Sequence, residues 1–137
     1  MIVLIFNKHG DYRITFDGHV LLIEGEGPWN KETVLSYVDE IKSIQVKYSD
    51  SCLGLICALQ GESIVTFDAK EALQNLQHWR IINGYVYPIA FVFIKAGERS
   101  FYEALFRDIH KDTRMAPRFF PSVEQARRWL MDVRNNS

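Results

Sequence analysis

Residues 52–73, CLGLICALQGESIVTFDAKEAL, change from one regular pattern to another, and that change decides the fold. The first eight are almost wholly apolar, as expected of a strand covered on both faces in the middle of a sheet. From Asp68 onward the apolar residues recur as Ala69, Ala72, Leu73, Leu76 and Trp79, which lie along one face of a helix. Asp68 and Glu71, three apart, read as a capping box, and Gly84 as the helix stop. A second apolar run, YVYPIAFVFI at 85–94, follows. The stretch therefore predicts strand, helix, strand, joined by a right-handed parallel crossover.

Toward the N-terminus the pattern is β-rich, with IVLIF, YRITF and HVLLIE in succession. Asp17-Gly18 between the last two predicts a two-residue type I′ hairpin turn, which needs φ > 0 at both central positions. Pro28 blocks extension of the third strand, and Asn30 caps a helix carrying Val34, Leu35, Val38, Ile41 and Ile44 on one side. Toward the C-terminus, Phe101, Ala104, Leu105 and Ile109 have helical spacing, with Ser100 and Glu103 as a capping box. The ending FFPSVEQARRWL, 119–130, gives an extended piece and then a last helix. Ser122 caps it, Gln125 closes the box, and Val123, Ala126, Trp129, Leu130 and Val133 form its stripe. The tail at 134–137 is expected to fray.

The predicted order is β-β-β-α-β-α-β-α-(β)-α. This is one α/β domain over residues 1–137, with a mixed sheet, an N-terminal antiparallel hairpin, parallel crossovers and about four helices. A length of 137 residues and an apolar fraction of 47% are enough for a real core. Sixteen Lys and Arg against seventeen Asp and Glu leave no overall field to draw nucleic acid or an anionic membrane, so neither is expected as a partner. Residues 1–50 carry an acidic excess of three and residues 95–128 a basic excess of three. The latter reads as solvated faces or as a docking surface of Arg107, Lys111, Arg114 and Arg118.

Cys52 and Cys57 are expected to be reduced and buried, pointing to opposite faces of an extended chain. No apolar run reaches the roughly 18 residues of a membrane span, and MIVLIF lacks the flanks of a leader, so a cytoplasmic location is expected. An exposed edge of the N-terminal hairpin leaves a homodimer open.

Chemistry is sparse. His9, His19, His78 and His110 show no metal-ligand spacing, so neither a metal nor a cofactor is expected. The GES at 61–63 lacks the second glycine of a nucleophile elbow, and Ser63 reads as a loop hydroxyl. GEG at 25–27 is too short for a dinucleotide fingerprint, and Glu24 and Glu26 read as a solvated edge. By period two, Tyr85, Tyr87, Phe91 and Phe93 share a strand face, either packed under helices or lining a pocket. Trp29, just before the first cap, is a hydrophobic staple or a ring for stacking a ligand.

GEGPWN at 25–30, VTFDAKEAL at 65–73 and FFPSVEQARRWL at 119–130 together resemble the divergent SpoIIAA-like branch of STAS domains. The resemblance implies a compact, non-enzymatic α/β module that docks a protein partner. In classical members a D-S-S-G turn at a helix start carries a phosphorylated serine, where unpaired N–H groups favour the anion. Asp68 matches that aspartate, but Ala69 and Lys70 stand at the serine positions and Glu71 replaces the glycine. The phospho-acceptor is missing, and Ser63 and Thr66 are only nearby hydroxyls. The resulting expectation is a regulatory interaction module recognising its partner through Gly61, Glu62, Ser63, Asp68 and Lys70 at the strand exits. The alternative is a carrier or sensor of a small apolar or amphipathic ligand held near Trp29, Tyr87 and Phe91, which calls for a cavity of roughly 300 Å³ or more.

Overall fold

The structure, a computed structural model, describes residues 4–8, 12–111 and 116–135. In chain order these form β1 (Leu4–Lys8), β2 (Tyr12–Phe16), β3 (Val20–Glu26), α1 (Lys31–Tyr48), β4 (Gly54–Gln60), α2 (Phe67–Asn83), β5 (Ile89–Ile94), α3 (Arg99–Ile109), β6 (Arg118–Phe119) and α4 (Val123–Asn135). The six strands lie side by side in sequence order. The first three pair antiparallel, and β3 through β6 pair parallel. The α/β class, the antiparallel start and the parallel crossovers are thus as the pattern predicts. No helix of the described residues is long and apolar enough to cross a membrane.

A sheet that adds each strand on the same side sends every crossover of one hand over the same face. Accordingly α1, α2 and α3 pack on one face, where Val38, Ile41, Leu76, Tyr102 and Phe106 meet Leu55, Cys57, Phe91 and Phe93. The other face is covered by α4, whose Ala126 and Leu130 sit on Val20, Ile56, Ala58, Ala90 and Val92. The strand β4 is buried on both sides up to Leu59, which explains its unbroken apolar run. At its start, a Cβ on Gly54 would stand 2.5 Å from Leu130 Cδ2 and 2.8 Å from the Pro88 carbonyl oxygen. Glycine there lets α4 close onto the sheet. That helix is also held by Arg127, whose Nη1 lies 2.7 Å from the Asp17 carboxylate in the β2–β3 turn.

Several local expectations are corrected. The β2–β3 turn spans three residues, 17–19; only Gly18 has positive φ, and the Asp17 carboxylate accepts the His19 and Val20 N–H groups. This side-chain turn replaces the type I′ geometry. Helix α2 is capped by Thr66, whose hydroxyl accepts from Ala69 N at 3.3 Å, so Asp68 lies inside the first turn. Helix α3 starts at Arg99 without a side-chain cap, so Ser100 is not its N-cap. Its buried stripe is Tyr102, Phe106 and Ile109, and Phe101 points outward. Leu35 on α1 is likewise exposed. Cys57 lies on the three-helix face, and Cys52, which precedes the strand and escapes its alternation, packs into the same core; both thiols are free. Tyr85 and Tyr87 precede β5; Tyr87 packs against the same core as Phe91 and Phe93, whereas Tyr85 stacks on Trp79 with ring centres 5.2 Å apart.

The caps at Asn30, Gly84 and Ser122 fall where the sequence places them. Residues 136–137 of the tail lie outside the described residues.

Leu130→Ala is expected to cost about 2–5 kcal/mol in urea unfolding, because the site sits over Gly54 and cannot collapse. The neighbouring Met131→Ala, at a side chain turned to solvent, should stay within about 0.5 kcal/mol of wild type.

Candidate functional site

Two regions draw together the residues that sequence reasoning singled out. The first is the exit of β4. Its loop is stitched to the segment before α1: Trp29 N donates to Ile64 O at 2.8 Å, and Thr66 N donates to Trp29 O at 3.1 Å. Gly27 makes this approach possible, since a Cβ there would run into the Glu62 carbonyl. Gly61, with φ +72°, turns the chain out of the strand while its N–H donates to Ile94 O at 2.9 Å.

Of the five expected recognition residues, two are engaged from α3. The Tyr102 hydroxyl donates to the Glu62 carboxylate. That bond, helped by burial, raises the Tyr102 phenol above its ordinary value. Lys70 Nζ lies 2.5 Å from Asp108, holding that carboxyl below the usual range. Asp68 is exposed, while Ser63 is fully buried and its Oγ has no hydrogen-bond partner. What the sequence did not mark is apolar: Phe67 is 79% exposed, Phe101 58% and Ile64 50%, all at the ends of β4 and β5. Phe67 follows the Thr66 cap, so it projects from the first turn of α2 with nothing packed over it.

The basic residues grouped near the C-terminus behave differently. Arg107 and Arg118 border a surface groove of about 300 Å³ together with Arg99 and Glu103. They lie over aromatic rings: Arg107 is 4.8 Å from the Phe119 ring centre, and Arg118 is 5.5 Å from that of Trp129. The Arg107 guanidinium thus lies on β6, and that of Arg118, itself in β6, reaches across to α4. Lys111 pairs with Asp108 at 3.7 Å, and Arg114 lies outside the described residues.

The second region is inside. Between the sheet and the three-helix layer lies a cavity of about 70 Å³ bordered by Trp29, Tyr37, Cys57, Phe91, Arg80 and His110. Trp29 and Phe91 of the expected pocket are there. Tyr87 borders only a smaller space of about 20 Å³, also bounded by Arg80, and its hydroxyl donates to Ser49 O at 3.0 Å. The volume falls well short of the roughly 300 Å³ of an ordinary organic-ligand pocket.

Sequence reasoning missed the most unusual residue here. Arg80 is only 4% exposed. Its Nε donates to Gln45 Oε1 at 2.9 Å and its Nη1 to Gln77 Oε1 at 2.9 Å, while Nη2 has no partner. Among the described residues no carboxylate pairs with it. The sequence signal goes only part of the way: Arg80 follows Leu73 and Leu76 at helical spacing, which puts it at the end of the buried stripe of α2 without saying on which side its head lies.

Three titratable neighbours are held neutral at pH 7. Burial pushes the Tyr37 phenol and the Cys57 thiol up to about 12, although the Arg80 charge pulls both down. Burial likewise drives His110 down to about 4, with its Nδ1 2.9 Å from the Phe106 carbonyl. No group of three or more His, Cys, Asp or Glu among the described residues is placed to hold a metal ion. No protein-family model, curated protein or solved structure matches this chain.

His110 gives a test of this interior. Its folded-state value lies below the unfolded value of 6.5, so the unfolded chain takes up a proton first as pH falls. Stability present above pH 6.5 should therefore drain away between pH 6.5 and about 4, by about 3 kcal/mol in all. Urea titrations across that window should show a shallower slope for His110→Gln than for wild type.

Proposed function

We propose that this chain is a protein-interaction module of STAS-like type, lacking the classical phospho-acceptor serine and acting without chemistry of its own. The observation that carries the proposal is the exposed apolar rim of Ile64, Phe67 and Phe101 at the strand exits. Large apolar side chains gathered at one end of a domain mark an interaction surface more often than a solvated one. The exposed carboxylates Asp68, Glu71 and Glu98 flank them. A matching partner is therefore a protein with an apolar hollow bordered by basic side chains.

Of the expected contact residues, Gly61, Glu62, Asp68 and Lys70 belong to this rim, whereas Ser63 is fully buried and offers no contact surface. The phospho-switch of the classical members forms no part of the proposal. Ala69, at the first serine position, is fully buried with its N–H bound to Thr66.

Wild-type protein and a Phe67→Asp/Phe101→Asp variant, immobilised in parallel, should differ in what they retain from a cell extract. The expected result is at least one protein held by wild type and by a Met131→Asp control, but depleted about tenfold or more on the rim variant. All three should unfold within about 0.5 kcal/mol of one another, since every substitution lies on the surface. Identical retained proteins on all three surfaces would sink the proposal.

A further inference from the structure

We infer that the cavity beside Arg80 is a binding site for a small carboxylate, roughly a short-chain fatty acid anion, independent of the docking rim. Two residues that border the cavity keep a buried donor without a partner, Arg80 Nη2 and Trp29 Nε1; Gln45, bound to Arg80 but not itself on the cavity wall, keeps a third at Nε2. All three are donors. The Gln45 amide cannot be turned round to ease the shortage, because its Oε1 already accepts from Arg80 Nε. The Gln77 oxygen is likewise spent on Arg80 Nη1. Apart from the Tyr37 phenol oxygen, which approaches the guanidinium, the interior has donors in excess of acceptors, next to a cation for which no described carboxylate serves as counter-ion.

A buried donor left unmade costs about 1–3 kcal/mol, and an unpaired buried charge more. A guest that brings two acceptor oxygens and one negative charge answers both deficits, and a carboxylate is the simplest group that does. Neutral Tyr37 adds a phenol at the same wall, and neutral His110 does not compete as a cation. The remaining walls are apolar, among them Val34, Leu55, Leu59, Leu76 and Phe91, and they suit an alkyl chain. Size sets the limit: at roughly 10–15 Å³ of such space per water-sized group, the cavity takes about five to seven heavy atoms, as in propionate or butyrate. An inorganic anion as small as chloride would leave the apolar walls unfilled.

The test uses the full chain at pH 7 and constant ionic strength, titrated with sodium butyrate against sodium chloride, with butyramide and 1-butanol as uncharged controls. Butyrate alone should raise the Tm, by about 5 °C at ten times its Kd. It should also shift the indole N–H resonance of Trp29, identified by its loss in Trp29→Phe. Arg80→Met should fold with a Tm at or above that of ligand-free wild type, since an apolar side chain replaces an uncompensated charge. It should no longer respond to butyrate. Trp29→Phe, which removes one donor and keeps the ring, should weaken binding roughly three- to tenfold. The inference is overturned if butyrate does no more than chloride or butyramide, or if Arg80→Met responds as wild type does. If Arg80→Met does not fold, undiminished binding by Trp29→Phe overturns it equally.

Discussion

The two-sided burial of β4 is the constraint on which the rest of the molecule depends. A strand with its carbonyl and N–H groups paired to neighbours on both edges can bury both faces only if each is covered by helices. Strands added in sequence order put three crossover helices on one face, so the opposite face has to be covered by the last element of the chain. Helix α4 meets that demand with two buried side chains, Ala126 and Leu130, and the absence of a Cβ at Gly54 lets it come close enough. The Arg127–Asp17 pair then fixes its position relative to the first hairpin. Partial burial pushes the Asp17 carboxyl up, but the Val20 and His19 N–H groups, and after them Arg127, outweigh it and hold it below the usual range.

The crowded face has the opposite difficulty. Three helices must tile a sheet whose inward residues range from cysteine to phenylalanine, and the fit is not complete. Where α1 and α2 meet, the gap is bridged by a polar group of three: Gln45, Gln77 and Arg80. Gln77 has its own anchor in the Leu73 carbonyl, 3.3 Å from its Nε2. The long Arg80 stem reaches between the helices as an apolar spacer, and its head finds two amide oxygens but no carboxylate. Replacing such a group by an apolar residue is often neutral or stabilising, so stability alone gives no reason for an arginine here. A function for the cation is the simpler account.

Much of the fold could be read in advance because most elements declare themselves locally. Asn30, Gly84 and Ser122 mark helix ends by chemistry that does not depend on the rest of the molecule. The apolar run at 53–59 and the stripe of Ala69, Leu73 and Leu76 fix strand and helix by period alone. The failures arise where two local rules compete or where the partner is distant. Thr66 and Asp68 are both good caps, and the Trp29 carbonyl decides between them by holding Thr66 N in an extended pairing. Ser100 has a capping side chain, yet the helix begins before it. The candidate site was legible only in part. Its loop was found because strand exits are a general place to look, whereas nothing in the sequence marks Ile64 and Phe67 as exposed rather than core. Nothing in a one-dimensional pattern separates an arginine that ends a buried stripe in solvent from one that ends it inside.

Helix α3 shows how one distant polar contact can select a helical face. Its sequence, RSFYEALFRDI, offers two aromatic residues side by side, and periodicity alone accepts either Phe101 or Tyr102 as the inward one. Burying Phe101 would satisfy hydrophobicity at no polar cost, so transfer free energy does not by itself explain the outcome. A buried tyrosine needs an acceptor, and the β4 exit supplies one in the Glu62 carboxylate. Once Tyr102 is inward, Phe106 falls one turn later against Phe91 and Phe93, with ring centres 4.8 and 5.7 Å away, and His110 one turn after that, its ring centre 5.5 Å from that of Phe91. The same rotation turns Phe101 out to solvent beside the loop that carries Glu62. The exposed aromatic at the strand exits thus follows from the hydrogen bond that orients the helix.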